Sequence, residues 1–278
     1  VHTLKIAPPR PELRPFVRAY AQRNTGARDP IVVEPVPAQL EQILVFELGN
    51  PYEIRWPTRP VQKFDCAGVA GGQTQFAAHM HLPAGVGSFG IFFHPTGFSH
   101  LFAVPAYSLT DCVHDAVPVL GRFVRSLWNR LGEAASFEDR VRIVEQFLLH
   151  RASRASNQEA IEALASCLFH KHGAVRIADL ARLGPLGLRQ FERRFSQEMG
   201  VTPKVFARIA RFQAALDAKV AHPQRTWLDI AHWFGYYDQM HMIHDFEQLG
   251  KNTPTQLIAE LRDCRPAALA SASQEIIY

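Results

Sequence analysis

Two sets of side chains in this sequence have spacing that could do chemistry. The first is a group of histidines. His79 and His81 stand at i and i+2, on one face if they lie in a strand, and His94 and His100 follow nearby. Two histidines on one face, joined by a third donor, can hold a divalent metal through neutral ring nitrogens. No Glu and no further His lies within five residues of the pair. The donor set is therefore incomplete, and hydrogen-bonded or exposed histidines are expected, with no metal and no cofactor. His232, His241 and His244 are likewise expected to be polar groups on a helix surface.

The second set is helical. Leu188, Phe191 and Phe195 fall at i, i+3 and i+7 and define an inward stripe. That leaves Arg189, Glu192, Arg193 and Ser196 together on the outer face. Arginine presents a planar fork of donors that fits the edge of guanine, and a glutamate can accept from cytosine. The competing reading is a solvated face closed by an Arg189–Glu192–Arg193 ion-pair cluster. In a second helix further along, Gln239, Met240, Ile243 and His244 occupy the equivalent face. Met240 and Ile243 there would either meet thymine methyl groups or pack against the preceding unit.

These helices belong to a repeat. Leu180-Ala181 aligns with Ile230-Ala231 at an offset of 50, and Phe191, Phe195 and Pro203 align with Met242, Phe246 and Pro254 at an offset of 51. The segments FSQEMGVTP and FEQLGKNTP show it directly. Each unit reads as two short helices around a glycine-containing turn, which is a helix-turn-helix. Thr202-Pro203 and Thr253-Pro254 read as an N-cap followed by proline at the first helical position, and Thr253 with Gln256 completes a capping box. Thr226 and Asp238 are further expected N-caps. A long helix over 204–220 joins the units through Val205, Ile209, Phe212 and Leu216.

The remainder of the 278 residues is built differently. Up to about residue 110, short apolar runs such as Ile43 to Phe46 and Gly90 to Phe93 are broken by Pro and Gly, as in a barrel or sandwich. From Ala116 the spacing becomes helical, with one stripe through Val119, Phe123, Val124 and Leu127 and another through Val141, Val144, Phe147 and Leu148. The stretch 152–157 interrupts both periods and reads as a linker. The expected division is a β-rich part over 1–115, a helical linker over 116–156, two helix-turn-helix units over 157–265, and a tail over 266–278.

Composition narrows the class. Hydrophobic residues are 47% and charged residues 20%, as in an ordinary folded protein. No run of roughly 18 apolar residues would span a membrane. The first thirty residues include Pro8, Pro9, Pro11 and Pro15 and no apolar signal segment. Four cysteines lie 46, 55 and 97 residues apart, without metal-ligand spacing, and read as reduced thiols in a cytoplasmic protein. Charge is concentrated: residues 157–211 hold 9 basic and 5 acidic side chains, whereas residues 212–265 hold 5 and 7. No Ser/His/Asp order, phosphate-binding glycine loop or Walker sequence supports an enzyme.

The C-terminal pattern resembles the AraC/XylS family of bacterial transcription regulators. The resemblance rests on Leu180-Ala181, Phe191, Arg193, Phe195, Gly200, Thr202-Pro203, Phe206, Arg211 and Ala215-Leu216. The second unit adds Ile230-Ala231, Phe234-Gly235-Tyr236, Asp238-Gln239, Phe246, Gly250 and Thr253-Pro254. Gly187 stands where the family usually has a Ser or Thr cap, and Leu257-Ile258 replaces its aromatic-Arg pair. The front half, through FGIFFHPTGFSHL at 89–101, is similar to the cupin-like sensory half of such regulators.

The resemblance implies an α+β multidomain protein: a cupin-like β-barrel with appended helices ahead of an all-α domain of two helix-turn-helix units. It also implies double-stranded DNA as partner, a small-molecule effector or a partner sensed by the barrel, contact with RNA polymerase, and dimerisation through 116–151. His79, His81, Phe92 and His94 are the expected pocket residues. The alternatives are a cupin-type metalloenzyme with a helical appendage, and a ligand-binding module whose DNA binding has weakened or been lost.

Overall fold

The computed structural model describes residues 3–57, 59–75, 78–155 and 160–261. Its first part holds two antiparallel sheets. Strands β1 (Thr3–Ala7), β2 (Val17–Asn24), β4 (Gln42–Glu47), β6 (Ala67–Ala70), β8 (Gly87–Phe93) and β9 (Val113–Asp115) form the larger sheet, in the order β1-β2-β8-β4-β6-β9. Strands β3 (Val32–Val36), β5 (Glu53–Arg55) and β7 (Ala78–Leu82) form the smaller one, in the order β3-β7-β5.

The two faces of the larger sheet are assigned by the period of two along β8. Phe89, Ile91 and Phe93 are fully buried and pack, with Leu44, Phe46 and Val69, against the helices. Ser88, Gly90 and Phe92 point the other way, into a cavity between the sheets. One irregularity decides the chemistry of that cavity. The pairing of β2 with β8 shifts register between Val17 and Ala19, so Arg18 sits at a bulge. The bulge changes which parity faces inward, and Arg18, Ala21 and Arg23 all line the cavity.

Helices α1 (Gly97–Phe102), α2 (Ala116–Leu120), α3 (Phe123–Glu133) and α4 (Phe137–Ala152) cover the outer face of the larger sheet. Ser136 caps α4 by accepting from the Asp139 amide at 3.0 Å. The apolar stripe of 119–148 is thus largely consumed within one chain: Val124, Leu127, Leu131, Val144 and Leu148 are buried against the sheet. Arg151 lies over the rings of Phe102, Phe123 and Phe147, 4.7 Å from the centroid of Phe123.

The C-terminal part is helical: α5 (Ala160–His170), α6 (Ile177–Arg182), α7 (Leu188–Met199), α8 (Pro203–Ala221), α9 (Trp227–Trp233), α10 (Gln239–Gly250) and α11 (Pro254–Leu261). The expected caps form. Thr202 accepts from the Val205 amide, Thr226 and Asp229 make a reciprocal box, and Asp238 accepts from the His241 amide at 2.7 Å. Gly173 closes the turn after α5 at φ +68, where a Cβ would stand 2.0 Å from the carbonyl oxygen of Ala207. Only glycine fits a left-handed turn pressed that closely on another backbone.

Two core expectations are corrected. Leu188 and Val205 are exposed, because each sits in the first turn of its helix, where the inward stripe has not yet met a neighbour. The sheet half also reaches into the helical core. Ala38, Leu40 and Ala106 pack into the core of the helical part, and the Ala38 amide donates to Leu249 at 2.9 Å. Parts of the expected linker (156–157) and of the helical domain (157–159 and 262–265), and the whole tail 266–278, lie outside the described residues.

Candidate functional site

In the first helical unit α6 leads through a turn to α7. Phe191, Phe195 and Met199 anchor α7 by burying its inner side, with the Phe191 and Phe195 ring centroids 5.5 Å apart. Arg189, Glu192 and Arg193 are exposed on the opposite side, and Ser196 is half-buried beside them. Ser196 turns its hydroxyl to the Glu192 carbonyl at 2.8 Å. The ion-pair cluster that would make this face self-contained does not form among the described residues. The α7 arginine that is paired is Arg194, on the flank, 2.9 Å from Glu198. Arg189 and Arg193 thus stand exposed with their donors directed to solvent, the state in which a guanidinium can meet a phosphate or a base edge.

The second unit places α9 and α10 in the same relation. Met242, Phe246 and Leu249 are buried, while Gln239, Met240 and His244 are exposed and Ile243 is half-buried. Met240 is 69% exposed, so packing against the first unit is excluded for it. Trp233 and Tyr237 of the same unit are also exposed, at 69% and 91%, a feature the helical periodicity did not single out. His244 meets Gln248 at 2.6 Å. Asp245 does not add charge to this face: it is buried and paired to Arg208 at 2.5 Å. The junction of the units is tied by Arg211, which donates to the Gly173 carbonyl at 3.2 Å and lies 5.4 Å from the Tyr236 ring centroid.

Between the two sheets is a cavity of about 190 Å³. Its walls are chiefly apolar, including Ile43, Tyr52, Ile54, Trp56, Met80 and Phe92. Arg18, Arg23, Glu34, Glu41 and Gln73 add polar groups. Of the four expected pocket residues Phe92 lines it. His79 and His81 do not, because Ala78, Met80 and Leu82 are the inward positions of β7. The two histidines lie opposite Pro35 and Val33 on the outer face of the smaller sheet. His94 is also displaced: it follows the last residue of β8 and is buried against Phe169 and His170 of the helical part. Burial, the neighbouring His170 and Arg18 push its pKa down to about 3. Among the described residues no three His, Cys, Asp or Glu side chains are grouped to hold a metal.

Residues 180–260 match the family described as a helix-turn-helix domain. Residues 180–260 thus form a helix-turn-helix domain. Residues 5–115 match a domain of unknown function, DUF6597. No curated protein matches the chain. Among solved structures, ToxT from Vibrio cholerae O395 is 9% identical, with a TM-score of 0.47, over 94% of this chain and 98% of that one. Unsaturated fatty acid bound wild-type ToxT from Vibrio cholerae strain SCE256 is 8% identical, with a TM-score of 0.45, over 92% and 95%. The AraC-like transcriptional activator CuxR is 12% identical, with a TM-score of 0.33, over 76% and 86%.

The helix-turn-helix domain is joined to the sheets through buried charge. Arg18 of the cavity wall pairs with Glu41, also on that wall, and reaches Asp217 of α8 at 2.7 Å. Gln213, one turn earlier on α8, donates to Glu41 and accepts from the Leu40 amide at 2.9 Å. Burial alone would lower the Arg18 pKa, but Asp217 and Glu41 together hold it above its ordinary value. The periodicity of the sequence could not find this cluster, since its members come from a bulge, a loop and the middle of a helix.

Proposed function

We propose that the chain is a sequence-specific DNA-binding regulator of transcription whose sheet half binds a small molecule. The observation that carries the DNA reading is the exposed face of α7: Arg189, Glu192 and Arg193 lie side by side on the second helix of a helix-turn-helix. Arginine there supplies both phosphate neutralisation and bidentate reading of guanine. The paired arrangement of α7 and α10 supports entry into successive major grooves about 34 Å apart. The family match at 180–260 points the same way.

The effector reading rests on the cavity. It lies between the two sheets and is mostly apolar, with a few polar groups, the ordinary character of a small-molecule site. Two of its wall residues, Arg18 and Glu41, contact α8 directly. A ligand that prefers one arrangement of that cluster would bias the position of the helix-turn-helix units, and its differential affinity would set the size of the response. Mapping the DNA bound by the full chain in its source cell tests the first reading. A titration in which ligand alters affinity for that DNA tests the second.

A further inference from the structure

We propose that the two helix-turn-helix units read half-sites of opposite composition, and that α10 takes a half-site of A·T pairs recognised through thymine methyl groups. The inference rests on reading the chain as a DNA-binding regulator and names the class of DNA its second unit accepts. It is carried by two helices that hold equivalent places in the repeat and present different chemistry. At the offset of 51, buried Phe191 and Phe195 correspond to buried Met242 and Phe246, so the two helices are anchored alike. The outward positions then correspond as Arg189 to Met240, Glu192 to Ile243 and Arg193 to His244.

The chemistry of each set selects a base pair. A guanidinium binds O6 and N7 of guanine together, and a carboxylate accepts from the cytosine amino group, so the α7 set suits G·C pairs. Methionine and isoleucine offer nothing to those groups. They can cover the C5 methyl that, among the four bases, only thymine carries. Met240 is 69% exposed and Ile243 half-buried, so apolar surface is there to be covered. Gln239, exposed at the start of α10, has the amide that pairs with N6 and N7 of adenine. His244 adds a single donor and no fork. Gln248 accepts from Arg208 through Oε1 and turns its amide nitrogen to Nε2 of His244 at 2.6 Å, which leaves Nδ1 as the donor of that ring. The helix contains no Lys or Arg, so its side chains neutralise no phosphate and add little salt dependence. Its exposed acid, Glu247, lies a turn beyond the N-terminal residues that meet base edges.

The test begins with the full chain selecting from a pool of random duplexes. The half-site whose preference relaxes in Arg189→Ala, Arg193→Ala belongs to α7, and the other belongs to α10. The first should be G·C-rich and the second A·T-rich. Deoxyuridine is then placed at each thymine of the α10 half-site, which removes the methyl group and nothing else. Affinity should fall by about fourfold for each methyl that is covered, the value of one buried carbon. Uracil in the α7 half-site should change little. Met240→Ala alters an exposed side chain, folds as the wild type does, and should lose most of the sensitivity to uracil. An α10 half-site that is G·C-rich or without preference overturns the inference and leaves the DNA-binding reading intact. Uracil tolerated there without loss, or an undiminished uracil effect in Met240→Ala, does the same. No enriched sequence at all overturns both.

Discussion

Arg18 and Asp217 are separated by 199 residues in the chain, yet their side chains meet at 2.7 Å in the buried seam between the sheets and α8. Each is less than 5% exposed, and Glu41 completes the cluster from the cavity side. Here the cavity wall and the helix-turn-helix domain share one charged group.

Removing that group should be expensive. Arg18→Met takes away the cation that Glu41 and Asp217 share, and breaking a buried pair in this way costs about 3–5 kcal/mol. Urea unfolding of the full chain measures it. A loss below roughly 1 kcal/mol would mean the cluster is solvated and couples nothing.

Acid should loosen the same seam. The folded pKa of His94 is pushed down to about 3 by burial, His170 and Arg18, whereas an unfolded histidine titrates near 6.5. The unfolded state therefore takes up its proton first as pH falls. The His94 contribution is intact above about pH 6.5 and is progressively lost down to about pH 3, with roughly 2 kcal/mol gone at pH 5. Denaturation of the wild type and His94→Phe at pH 7 and pH 5 checks it. The substitution should flatten this part of the slope, and identical slopes would place the acid sensitivity elsewhere.

Most of the seam can be given up without unfolding the helices. Of the buried apolar side chains in the helical core, the sheet half supplies Ala38, Leu40 and Ala106. A fragment of residues 157–265 should accordingly unfold cooperatively and retain a footprint on DNA. A folded fragment that leaves no footprint, where the whole chain does, would show that the sheet half contributes to the DNA surface.

The two units should contribute unequally to affinity. The first offers Arg189 and Arg193 without ion pairs among the described residues. The second offers Gln239, Met240 and His244, with its buried Asp245 already held by Arg208. Arg193→Ala should cost about 1–3 kcal/mol on the preferred site and relax base choice at one position. His244→Ala should cost less. Titrations of both folded variants against one operator at two salt concentrations decide the order, and a larger loss for His244→Ala would make α10 the dominant reader.

Features set by neighbouring residues were legible in the sequence. The repeat, the caps at Thr202, Thr226 and Asp238, and the inward phenylalanines of α7 depend on contacts within a few residues, and the structure has them as expected. The β/α division was legible from the change of period, but the placement of Ala38 and Leu40 in the helical core was not. Facing was the main failure. A strand alternates sides whatever its partner, so His79 and His81 could be assigned to either face until the pairing of β7 with β3 and β5 was known. Arg18 was hidden twice, by a bulge that breaks alternation and by a partner 199 residues away.

The most direct test of the central claim is a footprint of the full chain on the DNA it occupies in its source cell. Alongside it runs the double variant Arg189→Ala, Arg193→Ala, shown by circular dichroism to be folded. The account predicts two protected patches on one face of the duplex, about one helical turn apart, with the stronger one lost in the double variant. Absence of specific protection by the wild type, or a footprint the double variant leaves unchanged, would contradict it.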